Sequence, residues 1–338
     1  MRAPDFWWLP RPSLAAWLLS PLGWIWGEIS GRRMQQRGAE ADAPVICIGN
    51  FTAGGAGKTP TAIACANILS RKGFSPAFLS RGYGGSLSKD GAAHRIDPHR
   101  DTAARAGDEP LLLARHAPAI VSSDRVTGAN AATAMGADVL VMDDGLQNPG
   151  LEKTLSIVVV DGETGIGNGL CIPAGPLRAP LSLQLPKIDA MIAIGRGEAG
   201  RIVAAQVASF GKPVFRAVLA PDRDAVARLA GKRAVAFAGI GRPGKFFATL
   251  EEAGVEIVEA FAFDDHHTLD AGEIELLRKT AQEHDAILVT TEKDFVRVGA
   301  DFAPALPEIL PVTLSFEDDA AFTAFLIREL EHRTSRKR

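Results

Sequence analysis

The stretch "VICIGNFTAGGAGKTPTAIACANILS", residues 45–70, constrains this chain more than any other feature. A short β-branched apolar run leads into a glycine-rich segment, and Ile63, Ala66, Ile68 and Leu69 follow at helical spacing until Gly73. A strand, a loop and a helix in that order build a phosphate cradle, because loop amides and the helix N-terminus aim positive partial charge at one point. The usual pattern is G-x-x-x-x-G-K-[ST]. Here the loop reads Thr52, Ala53, Gly54, Gly55, Ala56, Gly57, Lys58, Thr59, so only its first glycine is replaced, by Thr52. The glycines let backbone approach a phosphate, Lys58 is expected on the β and γ phosphates, and Thr59 is expected to ligate Mg²⁺.

Such a loop calls for a second apolar strand ending in an acid that serves the metal. "ADVLVMDDGLQN" answers it: residues 139–142 read as a strand, with Asp143 and Asp144 at its carboxyl end, where ligands of open α/β sheets gather. Several nucleotide-binding classes share both elements, so they do not choose a reaction. A guanine-specific switch carries N/T-K-x-D, and "TTEKD" at 290–294 has Lys293 one place late. Partition-type membrane ATPases carry a further lysine early in the loop, where this chain has Ala53.

Phosphoryl transfer to an alcohol needs a carboxylate or imidazole near the acceptor hydroxyl and cations around the transferring group. "RAGDEPLLLARH" offers Asp108 and Glu109 for the first need, and Arg81 of "FLSRGYGG" and Arg125 offer the second. "GDEP" is equally a helix start.

At 338 residues and 46% apolar the chain can fill a substantial core. A net charge of -3 gives no global reason to expect nucleic acid as a partner. Cys47, Cys65 and Cys171 lack disulfide or zinc spacing and read as buried thiols. The strand and helix order predicts an α/β fold of the P-loop NTPase type, a parallel sheet with helices on both faces. "RAVAFAGIG", "VEIVEAFAF", "AILVTT" and "LPVTLSF" with intervening helices predict a second, smaller α/β domain. The expected divisions are residues 1–36, 37–226 and 227–338.

The first of these carries all five tryptophans, within residues 7–26, ahead of Arg32, Arg33 and Arg37. Residues 13–27 are uncharged but shorter than the roughly 20 residues of a spanning helix, and Pro21 interrupts them. An amphipathic helix lying in the headgroup region of a membrane is expected. A helix docked on the protein's own core is the alternative.

"GNFTAGGAGKTPT", "SRGYGG", "GDEP", "DDGLQN", "GPLR" and "DDHH", in that order, closely resemble the tetraacyldisaccharide 4'-kinase family of Gram-negative bacteria, over nearly the whole chain. The resemblance implies transfer of the γ-phosphate of ATP, with Mg²⁺, to the 4'-hydroxyl of a membrane-embedded acylated glucosamine disaccharide 1-phosphate. The product would be lipid IVA, made at the cytoplasmic face of the inner membrane with no obligate protein partner. It assigns Lys58 and Thr59 to the phosphate loop, Asp143 and Asp144 to the metal, and Asp108 as the base paired with His266 of "FDDHH", or with His267. Tyr83, Glu109, Arg125, Gln147 and Arg178 fall on matching polar positions. The chain departs from the family pattern at Asn148, where a histidine is usual, and at Ala179, where an acid is usual. A membrane-recruited nucleotide switch acting on a protein partner is the competing function.

Overall fold

A computed structural model describes residues 3–335. Its strands, in chain order, are β1 (Val45–Gly49), β2 (Pro76–Ser80), β3 (His94–Arg95), β4 (Ala119–Val121), β5 (Val139–Asp143), β6 (Leu155–Asp161), β7 (Ala190–Ile194), β8 (Val214–Pro221), β9 (Arg233–Ala238), β10 (Glu256–Ala262), β11 (Ile287–Thr290), β12 (Glu308–Ile309) and β13 (Val312–Phe316). They form a nine-stranded sheet ordered β13-β8-β7-β6-β1-β5-β2-β4-β3 and a four-stranded sheet ordered β10-β9-β11-β12.

Strands β1, β2, β5, β6 and β7 are buried at every residue, as helices on both faces of a parallel sheet require. Alternation along β1 sorts its side chains between the two layers. Ile46 and Ile48 join the layer built with the helix Lys58–Arg71, through Ala62, Cys65 and Leu69. Val45 and Cys47 join the opposite layer, with Ala129 and Ala132 of Arg125–Ala134 and Val203 and Val207 of Glu198–Ser209. Strand β1 pairs in parallel with both β5 and β6, so the chain reverses its direction of winding around it. The loops after these strands therefore open into one crevice.

The smaller sheet buries its own core of Ala225, Leu229, Ala234, Ala236, Leu250 and Val289. The expected boundary at 227 and its single C-terminal unit both need correction. Asp222 caps the helix Arg223–Leu229, which already belongs to the smaller core. At the other end, β13 leaves that unit and pairs antiparallel with β8 of the large sheet, Val312 opposite Pro221 and Phe316 opposite Ala217. The helix Asp319–Ser335 follows it there, burying Phe322, Phe325, Leu326 and Leu330 in the layer with Ile46. The physical reason is a sheet edge with an aromatic nest beside it. Phe215 of β8 lies 5.1 Å from Phe322 and 5.2 Å from Phe325, and Phe316 stacks on Phe322 at 4.1 Å.

The N-terminal region differs from expectation too. Leu14–Met34 is one continuous helix that runs through Pro21. Proline withholds the amide that Trp17 O would accept in a regular helix, and the Ser20 hydroxyl donates to that carbonyl instead, at 2.7 Å. The helix is apolar on both faces, which differ in size rather than polarity. Ala16, Gly23, Gly27, Gly31 and Met34 face the protein, whereas Leu14, Trp17, Leu18, Leu22, Trp24 and Ile29 are exposed. Small residues are required inside, because a Cβ at Gly23 would stand 2.7 Å from Cys171 O and one at Gly31 only 2.4 Å from Leu183 Cδ1. Among the described residues no helix is long and apolar enough to cross a membrane.

Phe322 is fully buried, so Phe322→Ala should cost about 3–5 kcal/mol by cavity formation. Urea unfolding followed through the large sheet would reveal it. A loss confined to the smaller unit would contradict the return of the chain.

Candidate active site

Strand β1 ends at Gly49, and the segment that follows is held open from below. Ala53 N donates to Pro176 O at 2.8 Å, and Thr52 forms an isolated bridge with Leu177. Thr52, in place of glycine, is thus part of a small ladder, and its side chain is buried. Gly57 precedes the helix Lys58–Arg71 with φ +87°, and a Cβ there would stand 2.6 Å from Ile194 Cδ1. Glycine is therefore obligatory at this turn. Gly54 is also left-handed, and its carbonyl accepts from Lys58 Nζ at 3.2 Å and Asn50 Nδ2 at 3.2 Å. Gly55 has open space around it, and Ala56 packs against the core.

The neighbouring strand β5 delivers the acids. Asp143 Oδ2 lies 3.2 Å from the Thr59 hydroxyl, while Asp143 Oδ1 is buried without a hydrogen-bond partner. Burial first, and then the charge of Glu109, push the Asp143 carboxyl up to about 7 against the opposing charge of Lys58. A buried carboxylate oxygen without a donor, beside a threonine hydroxyl, is a set of hard oxygen ligands suited to a small divalent cation. No group of three or more His, Cys, Asp or Glu among the described residues could hold a metal by itself. A cation at Asp143 would therefore take further ligands from nucleotide phosphate and water, as Mg²⁺ does.

Asp144 has a different environment. Arg178 grips it bidentately, Nη1 to Oδ1 at 2.7 Å and Nη2 to Oδ2 at 2.9 Å, and donates from Nε to Thr52 O at 3.0 Å. Burial alone would raise the Asp144 carboxyl, but Lys58 and Arg178 outweigh it and hold the group below its usual range. Gln147 supports the same floor through Asn50 O at 2.8 Å and Gln184 Oε1 at 2.9 Å. The two departures from the family pattern are both engaged in backbone support. Asn148 Oδ1 accepts from Gly150 N at 2.7 Å, and the buried Ala179 offers its carbonyl to Gln184 at 2.6 Å.

Arg125 is buried, donates to Ser122 O at 2.8 Å and keeps its Nε without a partner. Burial, then the nearby charge of Arg81, pull its pKa down, so this guanidinium is poised to gain from an anion. Arg81 is exposed.

The remaining groups come from both sheets. Asp108 opens the helix Asp108–Leu113 of the larger unit, and His266 lies in the loop after β10 of the smaller one. His266 Nδ1 is 2.9 Å from Asp108 Oδ2, which separates it from its neighbour His267. His267 instead contacts Glu273 at 2.9 Å and stacks on Phe263 at 5.1 Å. The ring of Tyr83 is 74% exposed and meets His266 edge-on at 6.4 Å.

Arg297 joins the site without any motif to mark it in the sequence. It donates to the same Asp108 oxygen from Nε at 2.9 Å and Nη2 at 2.6 Å, and to Asp294 Oδ1 at 3.0 Å. Burial would raise Asp108, but His266 and Arg297 together hold its carboxyl below the usual carboxylate range. The signal was present in "TTEKDFVRV", where Lys293 and Arg297 are four residues apart on the helix Glu292–Val298. Nothing in that spacing says which carboxylate they meet. Among the described non-glycine residues only Asp144, His266 and Asp285 have positive φ, and two of these three lie in this cleft.

Comparisons with known proteins agree over this whole architecture. The family model described as tetraacyldisaccharide-1-P 4'-kinase, LpxK, matches residues 15–331. A tetraacyldisaccharide 4'-kinase of Methylobacterium sp. (strain 4-46) is 54% identical over 322 residues, covering 95% of each chain. Another, of Rhodopseudomonas palustris (strain HaA2), is 48% identical over 340 residues, covering 100% of this chain and 99% of its own. The crystal structure of LpxK from Aquifex aeolicus in complex with ATP shares the fold, with a TM-score of 0.69 at 23% identity, over 93% of this chain and 99% of that one.

The raised Asp143 carboxyl carries a pH signature. With its folded pKa at about 7 and an unfolded value of roughly 4, its stabilising contribution is complete below the lower value and is lost as pH rises through 7. Asp143→Asn should therefore raise the melting temperature of the nucleotide-free, metal-free protein at pH 8 and change it much less at pH 5. An equal shift at both pH values would count against the assignment.

Proposed function

This chain belongs to the tetraacyldisaccharide 4'-kinase family, and from that premise we propose how its own residues carry phosphate from ATP to a sugar lipid. The enzyme transfers the γ-phosphate of ATP to the 4'-hydroxyl of tetraacyldisaccharide 1-phosphate, giving lipid IVA in lipid A biosynthesis. The switch reading is not favoured.

The observation that carries the residue assignment is the 2.9 Å contact of His266 with Asp108, across two units and beside the phosphate loop. Glu109, next to Asp108, is near enough that its charge acts on Asp143. Base and metal acids thus share one cleft. Asp108 takes the proton of the 4'-hydroxyl as that oxygen bonds to the γ-phosphorus. The bond from the γ-phosphorus to the bridging oxygen breaks, and ADP leaves. His266 and Arg297 orient the carboxylate and keep it ionised, so it is ready to accept.

Lys58, with the loop amides of residues 52–59, holds the β and γ phosphates, and Arg125 and Arg81 offer positive charge to the transferring group. Mg²⁺, when bound, neutralises charge on the phosphate oxygens. Thr59 and Asp143 would hold it, with Asp144, already paired with Arg178, as the further acid that could serve it. Tyr83 and Glu109 border the acceptor side, a reading supported by their closeness to His266 and Lys293. Gln147 and Arg178 act through the loop floor. Closure of the two units over both substrates would exclude water that competes for the phosphate.

The acceptor is held in a bilayer, and the enzyme sits at the cytoplasmic face of the inner membrane. The exposed Trp17, Leu18, Leu22, Trp24 and Ile29, with Arg32 and Arg33 in the last helical turn, support this seat.

Label from γ-labelled ATP should reach the lipid in detergent with Mg²⁺ and disappear in Lys58→Ala. Asp108→Ala and His266→Ala should each cut turnover by roughly 10²–10⁴-fold while ATP still binds. Normal turnover in both variants would sink the assignment. A Trp17→Ser, Leu18→Ser, Trp24→Ser variant should sediment less with anionic vesicles than the parent protein; equal sedimentation would argue against the proposed face.

A further inference from the structure

The "TTEKD" segment, too far from a guanine motif to be one, still presents a cation to the reacting centre. Lys293 Nζ lies 3.3 Å from His266 Nε2, 3.6 Å from Asp265 Oδ1 and 3.9 Å from Glu109 Oε1, and its side chain is only 24% exposed. An ammonium has donors and no lone pair, so its contact with Nε2 requires that nitrogen to be the unprotonated one. The ring proton then sits on Nδ1 and is donated to Asp108 Oδ2. That oxygen also receives Nε and Nη2 of Arg297, so all three donors converge on Oδ2 and none goes to Oδ1.

We propose that Lys293 is a positioning residue: it fixes His266 as the neutral Nδ1–H tautomer, which makes the imidazole a donor to Asp108 and leaves Asp108 Oδ1 as the oxygen that accepts the sugar proton. This rests on the kinase reading above, in which Asp108 is the base. The charged groups around the imidazole come from every side. Asp108 and Glu109 belong to one helix, Asp265 to the loop of His266 itself, Lys293 and Arg297 to another helix, and the phenol of Tyr83 to the loop after β2. His267 is turned away on Glu273. Lys293 is the only one of these named groups that meets Nε2 as an obligate donor.

The tautomer of His266 and the turnover can be read in one set of experiments on the full chain in detergent. Nitrogen-15 labelling of histidine, with the His266 signals identified by their loss in His266→Asn, reads the tautomer at pH 8 without any substrate. The expected signature is a protonated Nδ1 and a pyridine-like Nε2. Lys293→Met should shift it toward a protonated Nε2 and lower kcat by roughly 10-fold or more, with KM for ATP and for lipid within about 2-fold of the parent. Lys293→Arg, which restores a donor, should recover the parent signature and most of the turnover. A protonated Nε2 in the parent protein, or an unchanged signature in Lys293→Met, overturns the inference. So does an unchanged kcat in a variant whose tautomer has shifted. The kinase reading itself fails separately, by absence of label in the lipid.

Discussion

One carboxylate oxygen ties the two halves of this enzyme together. Asp108 Oδ2 belongs to the nine-stranded unit, and the groups that meet it, His266 Nδ1 and the Arg297 guanidinium, both belong to the smaller unit. The Asp108 and Arg297 side chains are both largely withdrawn from solvent, so neither charge is tolerable without the other. Arg297 is in turn held by Asp294, which receives Gly239 N at 3.1 Å and the Thr291 hydroxyl at 2.7 Å. The carboxylate proposed as the base therefore keeps this geometry only while the units are docked. A second contact, Arg242 with Asp161 and with Glu163 at 2.7 Å, holds the other side of the cleft.

The phosphate loop is tied in the opposite direction, toward the N-terminal helix. Trp26 Nε1 donates to Arg178 O at 3.2 Å, and the side chain of Arg178 spans from Thr52 O to both oxygens of Asp144. Trp7 Nε1 donates to Pro173 O at 2.9 Å in the same stretch of chain. Segment 171–183 is therefore a shared floor, with an apolar helix on one side and the nucleotide loop on the other. In the proposed membrane seat this arrangement joins the element that would meet lipid to the element that would hold ATP through one hydrogen-bonded floor.

Much of the candidate site was legible because its parts are local. A strand, a glycine-rich turn and a helix are neighbours in sequence, and the steric need at Gly57 and the charge of Lys58 act within a few residues. The acids at 143 and 144 follow from a strand that must end at the same sheet edge. The sequence left His266 and His267 as alternatives because both sit in one turn, and what singles out His266 is the distant Asp108, while His267 turns to its sequence neighbours Glu273 and Phe263. Arg297 and Lys293 were missed for the same reason. Their helical spacing is plain, yet the carboxylates of the larger unit that they meet, Asp108 and Glu109, lie more than 150 residues away.

The sequence by itself determined the α/β class, the phosphate loop, the acids beside it and the family, since each is written in short-range pattern or in an ordered series of motifs. Only the tertiary structure decided where β13 and the last helix go, which face of the tryptophan-rich helix turns inward, and which side chains surround Asp108. Those outcomes depend on an unpaired strand edge, on the fit of Gly23 and Gly31 against Cys171 and Leu183, and on charge pairing between separate sheets. Each joins segments far apart in the chain, and no local periodicity records which distant surface will be there to receive them.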